Sequence, residues 1–273
     1  SRLHQLIHLS IWSIRVPQWL PALSNLKSLA LRTEDSLRRK QCQDALMKLV
    51  PQLTSLQLIL DTPEKNFLGH VLDCAKELKE LKTSGVTVLP EDIQHCQRLT
   101  EIKIKAPTPL NQVLREEFMA TLGELPELRS LTLDMKKCTI DDQFATLALE
   151  NRIGQTLSKL AVNRMTDEGA SAIIRSLPRL TDWRVYEGGY SIHPFVHKES
   201  QTLMCLRNLC IPGMMISSFS DAFIFYLSSE DFNMMPEFMD LDFLMHLEHL
   251  ALPQRILLDS VVTAFSRRAP HVL

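Results

Sequence analysis

The chain has 273 residues, a formal net charge of -2 from 30 basic and 32 acidic residues, 45% hydrophobic residues and 6 cysteines. That length exceeds one compact core but suits an array in which each repeat touches only its neighbours. The near-neutral balance provides no global field for nucleic acid or an anionic membrane, and neither partner is expected.

The cysteines Cys42, Cys74, Cys96, Cys138, Cys205 and Cys210 form no C-x-x-C pair or terminal cluster. Reduced thiols are expected, without zinc or disulfide caps, and Cys205 and Cys210 are read as small apolar residues. The sequence holds no N-x-S/T site, no apolar run near membrane-span length and no signal peptide, so a cytoplasmic or nuclear location is expected. It starts within one repeat and stops near another, as expected for a fragment of a larger protein.

In chain order, the frame L-x-x-L-x-x-L-x-L appears at Leu3, Leu6, Leu9, Ile11 and again at Leu23, Leu26, Leu29, Leu31. Its third position recurs at Leu56, Leu81, Ile102, Leu131, Leu160, Trp183, Leu209 and Leu250, making ten copies. Successive intervals run from 20 to 29 residues until the last, which is 41. Each L-x-L should form a short strand with its two apolar side chains inward, and the strands should stack as a parallel sheet. Between the first copies, Val16-Pro17-Gln18-Trp19-Leu20-Pro21 leaves room only for extended or 3₁₀ backbone.

Helical periodicity follows at residues 44–49, 67–75, 113–122, 144–148 and 170–177. Thr62 before Pro63 and Glu64, Thr139 before Ile140 and Asp141, and Thr166 before Asp167 and Glu168 read as helix starts. Pro51, Pro126 and Pro178 mark helix ends.

The frame also ranks the outward positions. The row before the L-x-L contains Glu80, Glu101, Lys159 and Asp182; the row inside it contains Lys82, Lys103, Ala161 and Arg184. The row after it contains Trp12, Arg32, Lys105, Asp134, Asn163 and Tyr186. A mixed charged zone of this kind keeps an exposed sheet hydrated, each pair contributing about 0–1 kcal/mol. It equally suits a protein-docking surface, with Trp12 and Tyr186 as aromatic anchors.

The long ninth interval, residues 213–243, carries 5 of 11 methionines and 6 of 11 phenylalanines. Residues 228–240 read as an insertion whose Met234, Met235 and Phe238 either fill an irregular core or form an adaptable binding surface.

Enzymatic signatures are missing: there is no phosphate-binding glycine loop, H-E-x-x-H or G-x-S-x-G. His193 and His197 are separated by Pro194, which opposes the helix that would align them as metal ligands. No catalytic residue, metal or cofactor is expected.

The ten frames resemble the leucine-rich repeat superfamily across nearly the whole chain. The resemblance implies a single domain over residues 1–273, an α/β solenoid curved into a horseshoe, with the sheet concave and the helices convex. Residues 166–180 are similar to long-helix repeats of intracellular members, including NOD-like receptors and ribonuclease-inhibitor-like proteins. His95-Cys96-Gln97-Arg98-Leu99 resembles the cysteine-containing repeats of F-box substrate adaptors. The frame's usual Asn after the strand occurs only as Asn163, so a regular asparagine ladder is not expected. The implied role is non-catalytic recognition of a protein partner, as the sensing or autoinhibitory domain of a NOD-like immune receptor. Substrate capture by an F-box ubiquitin-ligase adaptor and a purely structural scaffold are the alternatives.

Overall fold

The structure, a computed structural model, describes residues 5–13, 15–34, 40–64, 68–86, 88–106, 112–135, 139–140, 153–186, 203–210 and 248–251. The chain divides into two compact units, one of residues 1–136 with 151–156, the other of residues 137–150 with 157–273.

In the first unit, β1 (His8–Ser13), β2 (Ser28–Thr33), β3 (Ser55–Glu64), β4 (Glu80–Val86), β5 (Glu101–Ala106) and β6 (Ser130–Met135) are parallel neighbours in chain order. Their register is the sequence frame: His8 lies opposite Ser28, then Ser55, Glu80, Glu101 and Ser130. Leu29, Leu31, Leu56, Leu58, Leu81, Ile102, Ile104, Leu131 and Leu133 are buried, and the residues between them face outward.

The L-x-x-L half of the frame has its own cause. The second residue of each such pair donates its N–H three residues back, Leu26 to Leu23 (3.2 Å), Leu53 to Val50 (3.0 Å) and Leu99 to Cys96 (3.1 Å). A three-residue turn eclipses these side chains on one face, and all six are buried. The chain then straightens, and the apolar period falls from three to two.

Adjacent strands are tied at their starts. The Lys27 carbonyl accepts from Thr54 N (2.8 Å) and Ser55 N (3.1 Å), and the Lys79 carbonyl from Thr100 N (2.8 Å) and Glu101 N (3.0 Å). The hydroxyls of Thr54 and Thr100 donate to those same carbonyls at 3.2 and 3.1 Å. In the second unit Thr181 does the same to Ser158, at 3.0 Å. This threonine contact recurs in a chain that lacks a regular asparagine ladder.

The helical layer of the first unit comprises α1 (Lys40–Leu49), α2 (Gly69–Leu72), α3 (Pro90–Ile93), α4 (Gln112–Gly123) and α5 (Ile153–Thr156), each packed beside the next. Cys42, Ala45, Leu46 and Leu49 form the buried stripe of α1. The short second repeat contains a 3₁₀ turn at Leu20–Ala22, as its length predicts.

Two expectations fail here. The periodicity over 67–75 yields only the four residues of α2. Thr62, Pro63 and Glu64 do not start a helix: β3 continues through Glu64, with a register shift between Ile59 and Glu64. Pro63 accounts for this locally, since a residue before proline is pushed toward extended backbone. Opposite the shift, Gly85 adopts φ +81°, and a Cβ there would lie 2.0 Å from the Leu60 carbonyl oxygen. Only glycine accepts that conformation and that approach.

In the second unit β8 (Lys159–Val162), β10 (Asp182–Val185), β11 (Asn208–Cys210) and β12 (His249–Ala251) are parallel neighbours in that order. Lys159 aligns with Asp182, then Asn208 and His249, as the frame requires. Trp183 takes the place of the third leucine and is fully buried. β7 (Thr139–Ile140) and β9 (Arg164–Met165) form a separate two-stranded sheet, so Thr139 belongs to a strand and not to a helix cap.

Thr166 caps α6 (Asp167–Ser176) as read, its hydroxyl accepting from Gly169 N at 3.0 Å. Ala161 and Asn163, assigned to outward rows, are instead buried. Ala161 keeps its place in the row, opposite Arg184, whereas Asn163 lies beyond the end of β8 at Val162, where strand alternation no longer applies. The expected helix over 144–148 and the 228–240 insertion lie outside the described residues.

Candidate functional site

On the first unit the outward sheet face changes character along its length. At β1, Trp12 stands 69% exposed, and the guanidinium of its register partner Arg32 lies 5.2 Å from the ring centroid. That distance is within cation–π range. The middle row beside this pair is small and uncharged, with Ser10 and Ala30 followed by Gln57.

Further along, Glu80, Lys82 and Glu101 come together. Lys82 Nζ lies 3.0 Å from a Glu101 carboxylate oxygen and 3.5 Å from Glu80, and Ser55 Oγ donates to the same Glu80 oxygen at 3.1 Å. Burial works against the Lys82 charge, but the hydrogen bond and attraction from Glu101, reinforced by Glu80, outweigh it and raise the lysine pKa. Lys105 pairs across the strands with Asp134 at 3.3 Å. Lys103 is exposed and makes no ion pair among the described residues.

The second unit carries Lys159, Asp182, Arg184 and Tyr186. Arg184 donates to both carboxylate oxygens of Asp182, Nε at 2.9 Å and a terminal nitrogen at 3.4 Å. Asn208 adds a donor to Asp182 at 3.3 Å. The hydrogen bond that Arg184 donates to Asp182, and the carboxylate's charge, raise the Arg184 pKa over a smaller burial effect. Tyr186 is 44% exposed, and Lys159 is exposed without an ion pair among the described residues.

The charged zone read from the sequence is thus described as two sets, Glu80 to Lys105 on one unit and Lys159 to Tyr186 on the other. Met234, Met235 and Phe238 lie outside the described residues, as do His193 and His197. The sequence reading placed Arg32 in the row of Trp12 without singling it out. The register that puts them opposite each other was the signal for their stacking.

Among the described residues no group of three or more His, Cys, Asp or Glu side chains is placed to hold a metal. The five described cysteines are free thiols. Burial, then the nearby Asp73 and Asp92, push the Cys96 thiol up to about 12, and its sulfur contacts the Leu72 carbonyl at 3.7 Å. Such a group is a packing element and a poor nucleophile. Cys205 departs from the small-apolar reading, being exposed, and Cys210 is half-buried. No helix of the described residues is long and apolar enough to cross a membrane.

No protein-family model and no curated protein matches the chain. Solved structures do. It is similar over 98% of its length to 45% of a chain in the mouse RP105/MD-1 complex, with a TM-score of 0.50 and 15% identity. An internalin of Listeria monocytogenes matches 92% of this chain and 74% of its own, at 14% identity and a TM-score of 0.47. A leucine-rich repeat protein of Leptospira interrogans matches 88% and 64%, at 17% identity and a TM-score of 0.47. The fold is the α/β leucine-rich repeat solenoid.

Proposed function

We propose that this leucine-rich repeat solenoid is a non-catalytic scaffold that recognises a protein partner through the outward faces of its sheets. The observation that carries this reading is the exposure of Trp12 and Tyr186 beside charges that largely neutralise one another. Paired charges contribute little to stability, whereas exposed aromatics next to arginine have the composition of interface hot spots. Lys103 and Lys159 add exposed cations that a partner carboxylate can meet.

The finer reading places the scaffold in the cytoplasm or nucleus, as the ligand-sensing or autoinhibitory domain of a NOD-like receptor. The 12 residues of α4 and 10 of α6 suit the long-helix repeats of that class. Buried Cys96 at the frame's first position favours the alternative, substrate capture for an F-box ubiquitin ligase. An F-box or a nucleotide-binding module beside this segment in its parent gene decides between them.

The test is quantitative affinity capture with the intact chain and three variants. The first carries Trp12→Ala and Lys103→Glu, the second Tyr186→Ala and Lys159→Glu, and the third lacks residues 228–240. A partner lost with either of the first two, by about thirtyfold for a hot spot, and kept by the third supports recognition by the sheet faces. Retention by the first two and loss with the deletion moves the site to Met234, Met235 and Phe238.

A further inference from the structure

The outward face of the second unit holds two cations for one acid. Lys159 and Arg184 stand there with Asp182, whose side chain is 14% exposed against 51% for that of Arg184. Asp182 is already engaged: it accepts from Arg184 Nε at 2.9 Å and Nη2 at 3.4 Å, and from Asn208 Nδ2 at 3.3 Å. Lys159 lies opposite Asp182 in the register yet makes no ion pair among the described residues. The acid thus orients Arg184 from below and leaves the outer charge positive. On the first unit, by contrast, Lys82 sits between Glu80 and Glu101.

Between the two cations the sheet face is low. Ala161, the register partner of Arg184, follows Lys159 by two positions and is 8% exposed. Adjacent strands lie about 4.8 Å apart and alternate residues of one strand about 6–7 Å. A side chain seated over Ala161 is therefore within reach of both the Lys159 ammonium and the Arg184 guanidinium. Arg184 Nη1 makes no hydrogen bond to Asp182 and is left to donate. The Tyr186 N–H donates to the Val162 carbonyl at 3.0 Å, which carries the pairing one residue past β10. Alternation then sets the exposed Tyr186 ring in line with Asp182 and Arg184.

We propose that the low ground over Ala161 seats an aspartate or glutamate side chain of the protein partner, held between Lys159 and Arg184. This rests on recognition by the outward sheet faces and gives it a partner chemistry on the second unit. Arg184 presents a fork already fixed by Asp182, and Lys159 a mobile point charge. A carboxylate accepts from both, and such charge-assisted bonds are about twice as strong as neutral ones. In an extended segment running along β10, the residue two positions from the acid meets the Tyr186 ring and is aromatic or aliphatic.

The test selects random seven-residue peptides, displayed on phage, on the full-length protein and measures the recovered sequences by fluorescence anisotropy. They are expected to share one Asp or Glu with an aromatic or aliphatic residue two positions away. Changing that acid to its amide should weaken binding by about tenfold or more. Lys159→Gln, at an exposed site, should weaken the acidic peptide likewise and leave its amide counterpart unchanged, and Lys159→Arg should retain binding. Tyr186→Ala should weaken both peptides.

Recovery of no acidic peptide, or equal weakening of the acidic and amide peptides by Lys159→Gln, overturns the proposal. If the recovered peptides are lost instead with Trp12→Ala and Lys103→Glu, this seat fails while recognition by a sheet face stands. Loss only on deletion of residues 228–240 overturns both.

Discussion

In the first unit Lys82 and Lys105 reach acids on the next strand, Glu101 at 3.0 Å and Asp134 at 3.3 Å, whereas in the second the shortest outward pair, Arg184 to Asp182 at 2.9 Å, lies within one strand and the pair between repeats, Arg207 to Glu248, is longer at 3.9 Å. The sheets differ in the same sense. Strands of the first unit span six to ten residues, against four for β8 and β10 of the second. The first unit is therefore organised by long ladders of equal leucine and isoleucine side chains, with charges that stitch neighbouring repeats. The second relies more on single large contributions, the buried Trp183 and the Thr166 cap. A repeat frame of one form can thus be stabilised in a distributed or a concentrated way.

The strongest way to break that contrast is in the cores. Trp183→Ala should destabilise the second unit by about 3–5 kcal/mol, and Leu56→Ala the first by about 2–5 kcal/mol. Native-state hydrogen exchange resolves which amides lose protection. Because stability in a solenoid is carried between nearest neighbours, each loss should centre on its own unit, and equal loss throughout would erase the distinction.

Gly85→Ala comes next. Its Cβ would meet the Leu60 carbonyl at a positive φ, so chemical denaturation should show a loss greater than about 1 kcal/mol. Thr166→Ala should cost about 1 kcal/mol, with fraying confined to the first turn of α6. No change in amide exchange there would remove the cap from the account of the second unit.

The smallest effects belong to the surface charges. Lys82→Ala should cost no more than about 1 kcal/mol, less in high salt. Because the Lys82 pKa is raised in the folded chain, its ion-pair contribution is fully present below the ordinary lysine value. It is lost only as pH rises through the folded value, so urea titrations at neutral and mildly alkaline pH should give the same difference between wild type and variant.

Much of this was legible in the residues. Leu9, Leu29, Leu56, Leu81, Ile102 and Leu131 define the strand register row by row, because an apolar period of two leaves only one alignment with the core. The same rows carried Trp12 and Tyr186 to exposed positions. Thr62 misled because cap chemistry is local, while β3 continues through a pairing of Glu64 with distant Val86. Gly85 gave no periodic signal, since its role is to let another strand's backbone approach. Asn163 misled because alternation assumes a continuing strand, and β8 ends at Val162.

The proposal that the outward faces do the recognising is tested most directly by site-specific photocrosslinking. A crosslinking amino acid placed at outward Gln57 or Thr132 is compared with one at exposed Gln94 or Gln97, which lie outside the strands. Crosslinks to one partner protein from Gln57 or Thr132, and none from Gln94 or Gln97, are predicted. The same partner captured from Gln94 or Gln97 and never from the sheet positions would contradict recognition by the outward face.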